Sequence, residues 1–330
     1  MSPVVGYYGK LPLSPEFLRL HAAGPELRWL DDWLQRGVLY AKSKEGPQWS
    51  ALVAQSDLWN FLYVPPGQGR IVCGVLFASQ DKAGRSFPFL SFLLLDLDFL
   101  SRKPWLVPIV AAEFLESTTS STQVLRTTLD WDNFRRGVDQ AEGKVLSVEA
   151  AEEAFAQYTQ AVNAREWWVG LWGSFDDSRK YRLVQELAEM VRSFTQQACR
   201  EASWGLKFPL FPGTGGKTYD LPFWLAASLQ PVSPGPQHKL GVVTFWSRSP
   251  TKVDPCVLIS LGPGSPNMTR FLVSPEAQDN SWRDVLSDNQ NPAELAETMR
   301  HEGYRTLSDG ALSIDKLLEY FVSLGRTQPC

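Results

Sequence analysis

RIVCGVLFASQDKAGRSFPFLSFLLL, residues 70–95, holds the signal that decides the fold of this chain. Two runs rich in β-branched and aromatic residues, 70–79 and 87–95, flank QDKAGRS, whose Asp, Gly and Ser make a turn. Strand side chains alternate between the two faces of a sheet, and the second run is apolar at odd and even positions alike. Such a strand is buried on both faces, which requires helices on each side of the sheet. The fold class expected from this is α/β.

The same pattern recurs near the C-terminus, where KLGVVTFWS (239–247) and CVLISLG (256–262) flank the polar turn RSPTKVDP. No internal repeat accompanies it. VVGYYGKLP (4–12) reads as a short strand entering a loop. From Glu26 to Tyr40, Leu27, Leu30, Leu34 and Val38 recur at helical spacing, with Gly37 weakening the last turn. The middle of the chain is helical. SVEAAEEAFAQYTQAVNAREWW (147–168) and RKYRLVQELAEMVRSFTQQACREA (179–202) are rich in good helix formers, the second with an apolar stripe of Leu183, Leu187, Met190, Val191 and Phe194. STTSSTQVLRTT (117–128) reads as a solvated Ser/Thr loop, PVSPGPQH (231–238) as a surface connection, and ALSIDKLLEYFVSLG (311–325) as a final helix ended by Gly325.

The chain has 330 residues, 44% hydrophobic and 21% charged, an ordinary globular composition apart from its 13 Trp and 18 Phe. Aromatics at that level suit a well-packed core with a binding face. A net charge of −4 without a basic run gives no reason to expect a nucleic-acid partner. Cys73, Cys199, Cys256 and Cys330 are scattered, so reduced thiols in the cytoplasm are expected. The first residues lack a secretory pattern, and the longest apolar stretch is interrupted by Asp96 and Asp98, so no membrane insertion is expected.

Several strings imitate catalytic motifs. FPGTGGKTYD (211–220) resembles a phosphate loop, yet the glycine required five positions before the Gly-Lys pair is Phe211, and Lys217 precedes any helix starting at Pro222. GPGSPN lacks both flanking glycines of a nucleophile elbow around Ser265, with Pro263 and Asn267 in their places. HEGYR starts as a zinc helix does, but Arg305 stands where the second His belongs, leaving His301 as a helix-end residue. Asp31/Asp32, Asp96/Asp98 and Asp176/Asp177 read as a solvent face, a strand end and a helix cap. No catalytic residue, metal or cofactor is expected.

Four segments carry a far more specific pattern. GYYGKLPLSPEFLR, then WLDDWLQRGVLYAK, WSALVAQSDLWNFLY and CGVLFASQDKAGRSFPFL, resemble the TagF family, also called ImpM, of type VI secretion-associated proteins. The resemblance rests on Gly6, Gly9, Lys10, Leu11, Pro12 and Phe17, on Trp33, Trp49, Trp59 and Phe61, and on Gly74, Ser79, Asp81, Gly84, Arg85, Phe87 and Pro88. It is strong up to Leu95 and looser beyond. Glu16 after Pro15, and Phe89 in place of the usual Leu, are departures that keep the residue class.

The resemblance implies a three-layer α/β/α sandwich around a central mixed sheet, one domain over residues 1–330, elaborated by helices at about 145–205 and a Gly/Pro-rich loop at about 211–220. It implies a bacterial, cytoplasmic, non-catalytic regulator that restrains type VI secretion system assembly post-translationally. The implied partner is the forkhead-associated (FHA) scaffold protein of that system, with a link to the associated phosphatase and kinase pathway. An enzyme using Gly213–Thr218 on nucleotide or phosphate, or a structural component of the apparatus, are the alternatives.

Gly9, Lys10, Pro12, Phe17, Asp81, Gly84, Arg85 and Pro88 are the candidate motif. Gly9 and Gly84 fit positive φ, and Pro12 and Pro88 fix chain direction. Asp81 is read either as a structural bridge to Lys10 or Arg85, or as part of a charged patch offered to a partner. Trp29, Trp33, Trp49 and Trp59 are read as core. Phosphorylation at Thr118, Thr119 or Thr122 would be a docking signal for an FHA partner.

Overall fold

The structure is a computed structural model that describes residues 3–65, 69–98, 100, 102–141, 144–196, 204–212, 219–232, 241–262, 264–284 and 301–324. Its strands are β1 (Val4–Gly9), β2 (Leu18–Leu20), β3 (Trp59–Val64), β4 (Arg70–Phe77), β5 (Phe89–Asp96), β6 (Gly205–Pro209), β7 (Val242–Ser247), β8 (Cys256–Leu261) and β9 (Trp282–Asp284). They form one sheet in the order β2-β1-β5-β4-β3-β7-β8-β6-β9. Every pairing is antiparallel except β6 with β9, so the sheet is mixed. The two sequence-legible strand pairs, β4/β5 and β7/β8, are joined through β3, whose Asn60 to Val64 face Trp246 to Val242.

Alternation along the strands feeds two cores. On β3, Trp59, Phe61 and Tyr63 enter one core while Leu62 and Val64 enter the other. On β5, Leu90, Phe92 and Leu94 oppose Phe89, Leu93 and Leu95. This is why residues 87–95 carry no polar periodicity: an antiparallel sheet covered on both faces has no wet side.

The first core is closed by α1 (Pro25–Glu45) and the 3-10 turn Pro266–Leu272. Pro25 opens α1 at a position where a missing N–H costs nothing, and Lys42 and Lys44 lie in its last turn, where they complement the helix dipole. Leu27, Leu30, Trp33 and Leu34 pack inward. Gly37 does more than weaken the helix. A Cβ there would lie 2.0 Å from Thr269 Oγ1 and 2.4 Å from the Pro266 carbonyl, so the glycine lets α1 approach the turn. The buried Glu26 carboxylate ties the start of α1 to Arg70 at 2.7 Å. A short α2 (Trp49–Ala54) follows.

The opposite face carries α3 (Val107–Val110), α4 (Ala112–Thr128), α5 (Trp131–Ala141), α6 (Val148–Ala161), α7 (Ala164–Trp172), α8 (Arg179–Gln196), α9 (Asp220–Leu229), α10 (His301–Ser308) and α11 (Ile314–Leu324). The sheet with helices on both faces gives the α/β fold read from residues 70–95. All ten residues of α9 are buried, the expected state of a helix apolar around its whole circumference. It lies between the sheet and α11, with Trp224 stacked on Phe208 of β6 and on Phe321.

One expectation is corrected. Residues 117–128 are not a loop but the greater part of α4; the hydroxyls of Ser120, Ser121, Thr127 and Thr128 bond back to carbonyls one turn earlier, and Phe114, Leu115 and Leu125 supply the inward face. Thr118 and Thr122 are buried within it at 3% and 0% exposure, which removes them as phosphorylation sites in the folded chain. Residues 147–168 are two helices, because Asn163 leaves helical geometry and forms a capping box with Glu166 that starts α7. The stripe Leu183, Leu187, Met190, Val191 and Phe194 on α8 is buried as read. Gly325 and residues 233–238 lie outside the described residues.

Candidate docking surface built by the first-strand and hairpin loops

β1 ends at Gly9, with φ 135°, a region open to glycine almost alone. An added Cβ would lie 2.1 Å from the Pro88 carbonyl oxygen, so β1 can reach β5 here only without a side chain. Pro88 is buried and fixes that approach. Beyond Gly9 the chain runs through Lys10 and the buried Leu11, turns with Ser14 N–H donating to the Leu11 carbonyl, and returns as β2.

The β4–β5 connection closes on its own aspartate. Asp81 Oδ1 accepts from the backbone N–H groups of Ala83 and Arg85, both at 2.9 Å. Gly84, at φ 79°, donates its N–H to the Asp81 carbonyl. Asp81 Oδ2 accepts from Arg85 Nε at 2.7 Å and from Lys10 Nζ at 3.0 Å. Arg85 Nη2 also donates to the Pro15 carbonyl, and the Lys82 N–H donates to the Ser14 carbonyl. One buried carboxylate, 2% exposed, therefore joins two loops about 70 residues apart in sequence.

Aromatic packing supports the joint from below. Lys10 Nζ lies 5.0 Å over the Phe17 ring, Phe17 stacks on Tyr8 at 5.2 Å, and Phe87 meets both edge-on. Tyr8 donates to Asp31 at 2.9 Å; burial, then that carboxylate, push its phenol pKa up. Trp49 Nε1 donates to Ser86 Oγ at 2.9 Å, holding the far end of the hairpin against α2. Of the eight residues singled out by sequence, seven converge here, and Pro12 lies on the exposed turn between them. Tyr8, Ser14, Pro15, Phe87 and Trp49 complete the site. Phe87 and Trp49 belong to the family pattern, whereas the Tyr8 ring and the Ser14 and Pro15 carbonyls have no local sequence signature.

Burial would raise the Asp81 carboxyl pKa, but the Arg85 N–H, Lys10, the Arg85 side chain and the Ala83 N–H outweigh it and hold the group well below the usual carboxylate range. With four donors on two oxygens, Asp81 has a structural task. In the unfolded chain it titrates near pH ~3.9, so its stabilising contribution is complete above about pH 4 and is lost as pH falls through the lower folded value. Wild-type protein should lose stability on acidification below about pH 4 more steeply than Asp81→Asn. Urea midpoints measured across that range would check this, and parallel curves would refute it.

Apart from Asp31, which accepts from Tyr8, the other candidate motifs are not joined to this surface. Ser265 is the N-cap of a 3-10 turn, its hydroxyl accepting from Asn267 N–H. Asp31 and Asp32 do not converge: Asp31 accepts from Tyr8 and Gln35, Asp32 pairs with Arg36. Asp177 caps the start of α8 through the Arg179 N–H. Cys73 and Cys256 are buried; burial pushes the Cys256 thiol pKa up to about 12 and Cys73 in the same direction. Cys199, Cys330, the loop Gly213–Thr218 and the His301 side chain lie outside the described residues. No group of three or more His, Cys, Asp or Glu that could hold a metal occurs among the described residues. No helix among them is long and apolar enough to cross a membrane.

Residues 6–141 match the TagF N-terminal domain, type VI secretion system-associated. Over that span the chain is similar to the TagF family. The TagF match takes in β1 from Gly6 onward, β2–β5, the whole joint around Asp81, and the helices through α5, whose last residue is Ala141. The sheet continues past it without a break, since β3 within the TagF span pairs with β7 outside it. No curated protein matches the chain. Among solved structures it is similar to the crystal structure of PA0076 from Pseudomonas aeruginosa PAO1, with 17% identity and a TM-score of 0.41, covering 87% of this chain and 100% of that one.

Proposed function

We propose that this chain is a non-catalytic regulator that works in the cytoplasm and restrains type VI secretion system assembly post-translationally by binding a component of the system, the FHA-domain scaffold. The coarser statement, that it is a type VI secretion-associated protein, rests on the TagF match over residues 6–141. The observation that carries the finer reading is the joint around Asp81. It spends every charged group of the family motif on holding two exposed loops in one rigid arrangement, and loops on a rigid scaffold are where recognition is concentrated. A carboxylate engaged by four donors is also a poor base or nucleophile, which favours binding over catalysis at this place.

Purified chain and the FHA-domain scaffold should form a complex, seen by co-elution on size exclusion, and deletion of the gene should raise secretion. Unchanged secretion in the deletion strain, together with no complex, would overturn the proposal.

A further inference from the structure

We propose that Lys82 and the outer edge of the Arg85 guanidinium form a cation pair that receives a carboxylate side chain from an acidic segment of the partner protein. This rests on the reading of the chain as a protein-binding regulator and adds the chemistry of the contact.

The Arg85 side chain is 60% exposed although two of its nitrogens are committed. Nε donates to Asp81 and Nη2 to the Pro15 carbonyl, which fixes the plane of the guanidinium, while Nη1 has no partner among the described residues. An immobilised guanidinium whose Nη1 keeps its N–H groups free can donate a charge-assisted hydrogen bond to a carboxylate. Three residues earlier, Lys82 is exposed and its ammonium is unpaired among the described residues. Its backbone is nonetheless held by the Ser14 carbonyl, so both cations project from a loop that is already ordered. Ordering paid before binding is not paid again on association.

The surroundings favour a protein segment. Ala83, between the two cations in sequence, and Pro15, whose carbonyl meets Arg85, are exposed and give apolar surface at the charged centre. Two cations are too few to hold a nucleic-acid backbone or a membrane surface on a chain with net charge −4. Glu16, exposed and next to Pro15, opposes any incoming carboxylate and so reports on its approach.

An acetylated hexaglutamate peptide titrated into 15N-labelled protein should shift the amide signals of residues 82–85. Lys82→Ala removes a side chain with no internal bond and should weaken the peptide about 10-fold. Arg85→Lys should weaken it at least as much, Glu16→Gln should strengthen it, and added salt should weaken it in every variant. Shifts located elsewhere, an affinity unchanged by Lys82→Ala, or inorganic phosphate shifting the same amides while the peptide does not, would each overturn the proposal. The FHA scaffold separates the two readings. If wild type and Lys82→Ala retain it equally, this contact is wrong and the regulator stands. If wild type fails to retain it, the regulator reading falls and the peptide titration still decides the contact.

Discussion

Asp220→Ala will lower the unfolding free energy by about 3–5 kcal/mol, the cost of removing one partner from a buried ion pair. Asp220 is fully buried at the first residue of α9. Its two oxygens meet Arg248 at 2.6 and 3.0 Å, and Oδ2 also accepts the Phe211 N–H at 2.6 Å. Alanine would strand a guanidinium that is largely enclosed and a backbone donor, and would remove the negative charge that favours the start of a helix. Because α9 packs through its whole circumference, its displacement would disturb both the sheet and α11. The double variant Asp220→Ala with Arg248→Met should recover much of the loss, since a buried pair is far costlier half-made than absent. Urea unfolding of wild type, Asp220→Ala, Arg248→Met and the double variant checks this. A single-variant cost below about 1 kcal/mol would show that the pair is surface-like.

Gly9→Ala is expected to be nearly as damaging, at about 3 kcal/mol from backbone strain and the forced separation of β1 from β5 together. Its φ of 135° admits few residues besides glycine, and the new methyl would meet the Pro88 carbonyl at 2.1 Å. Gly84→Ala provides the internal comparison. That glycine has φ 79° with nothing within 4 Å of an added Cβ, so only the conformational cost remains, about 1 kcal/mol. The two alanine variants should also differ in function. Gly9→Ala moves Lys10 away from Asp81 and should reduce scaffold retention, whereas Gly84→Ala leaves the joint in register. Equal stability losses for the two would refute the steric argument.

How much of this could be read from residues alone varied with the range of the interaction. The strand pair in residues 70–95 was legible because burial on both faces erases polar alternation locally. The Ser/Thr run at 117–128 misled because Ser120, Ser121, Thr127 and Thr128 turn their hydroxyls onto helix carbonyls while Thr118 and Thr122 are buried, uses of those side chains indistinguishable from a loop by composition. The break at Asn163 was present as Asn-x-x-Glu but hidden between two runs of good helix formers. Gly37 looked like a defect because the Thr269 side chain it accommodates lies more than 200 residues away.

The candidate site divides in the same way. Order and spacing of residues marked Gly9, Lys10, Asp81, Gly84 and Arg85, and left two readings of Asp81 open. The structure makes the bridge, from Asp81 to Lys10 and Arg85 alike, and the charged patch is carried only as the proposal for Lys82 and Arg85.

Taken by itself, the sequence determined that this chain builds a sheet covered on both faces and carries the TagF motif, because strand burial and motif spacing are local properties of the chain. Only the tertiary structure decided that β3 joins the two strand pairs into one sheet, that α9 is wholly enclosed, and that Lys10 meets Asp81. Those contacts depend on which surfaces exclude water together, and no window of sequence contains both partners.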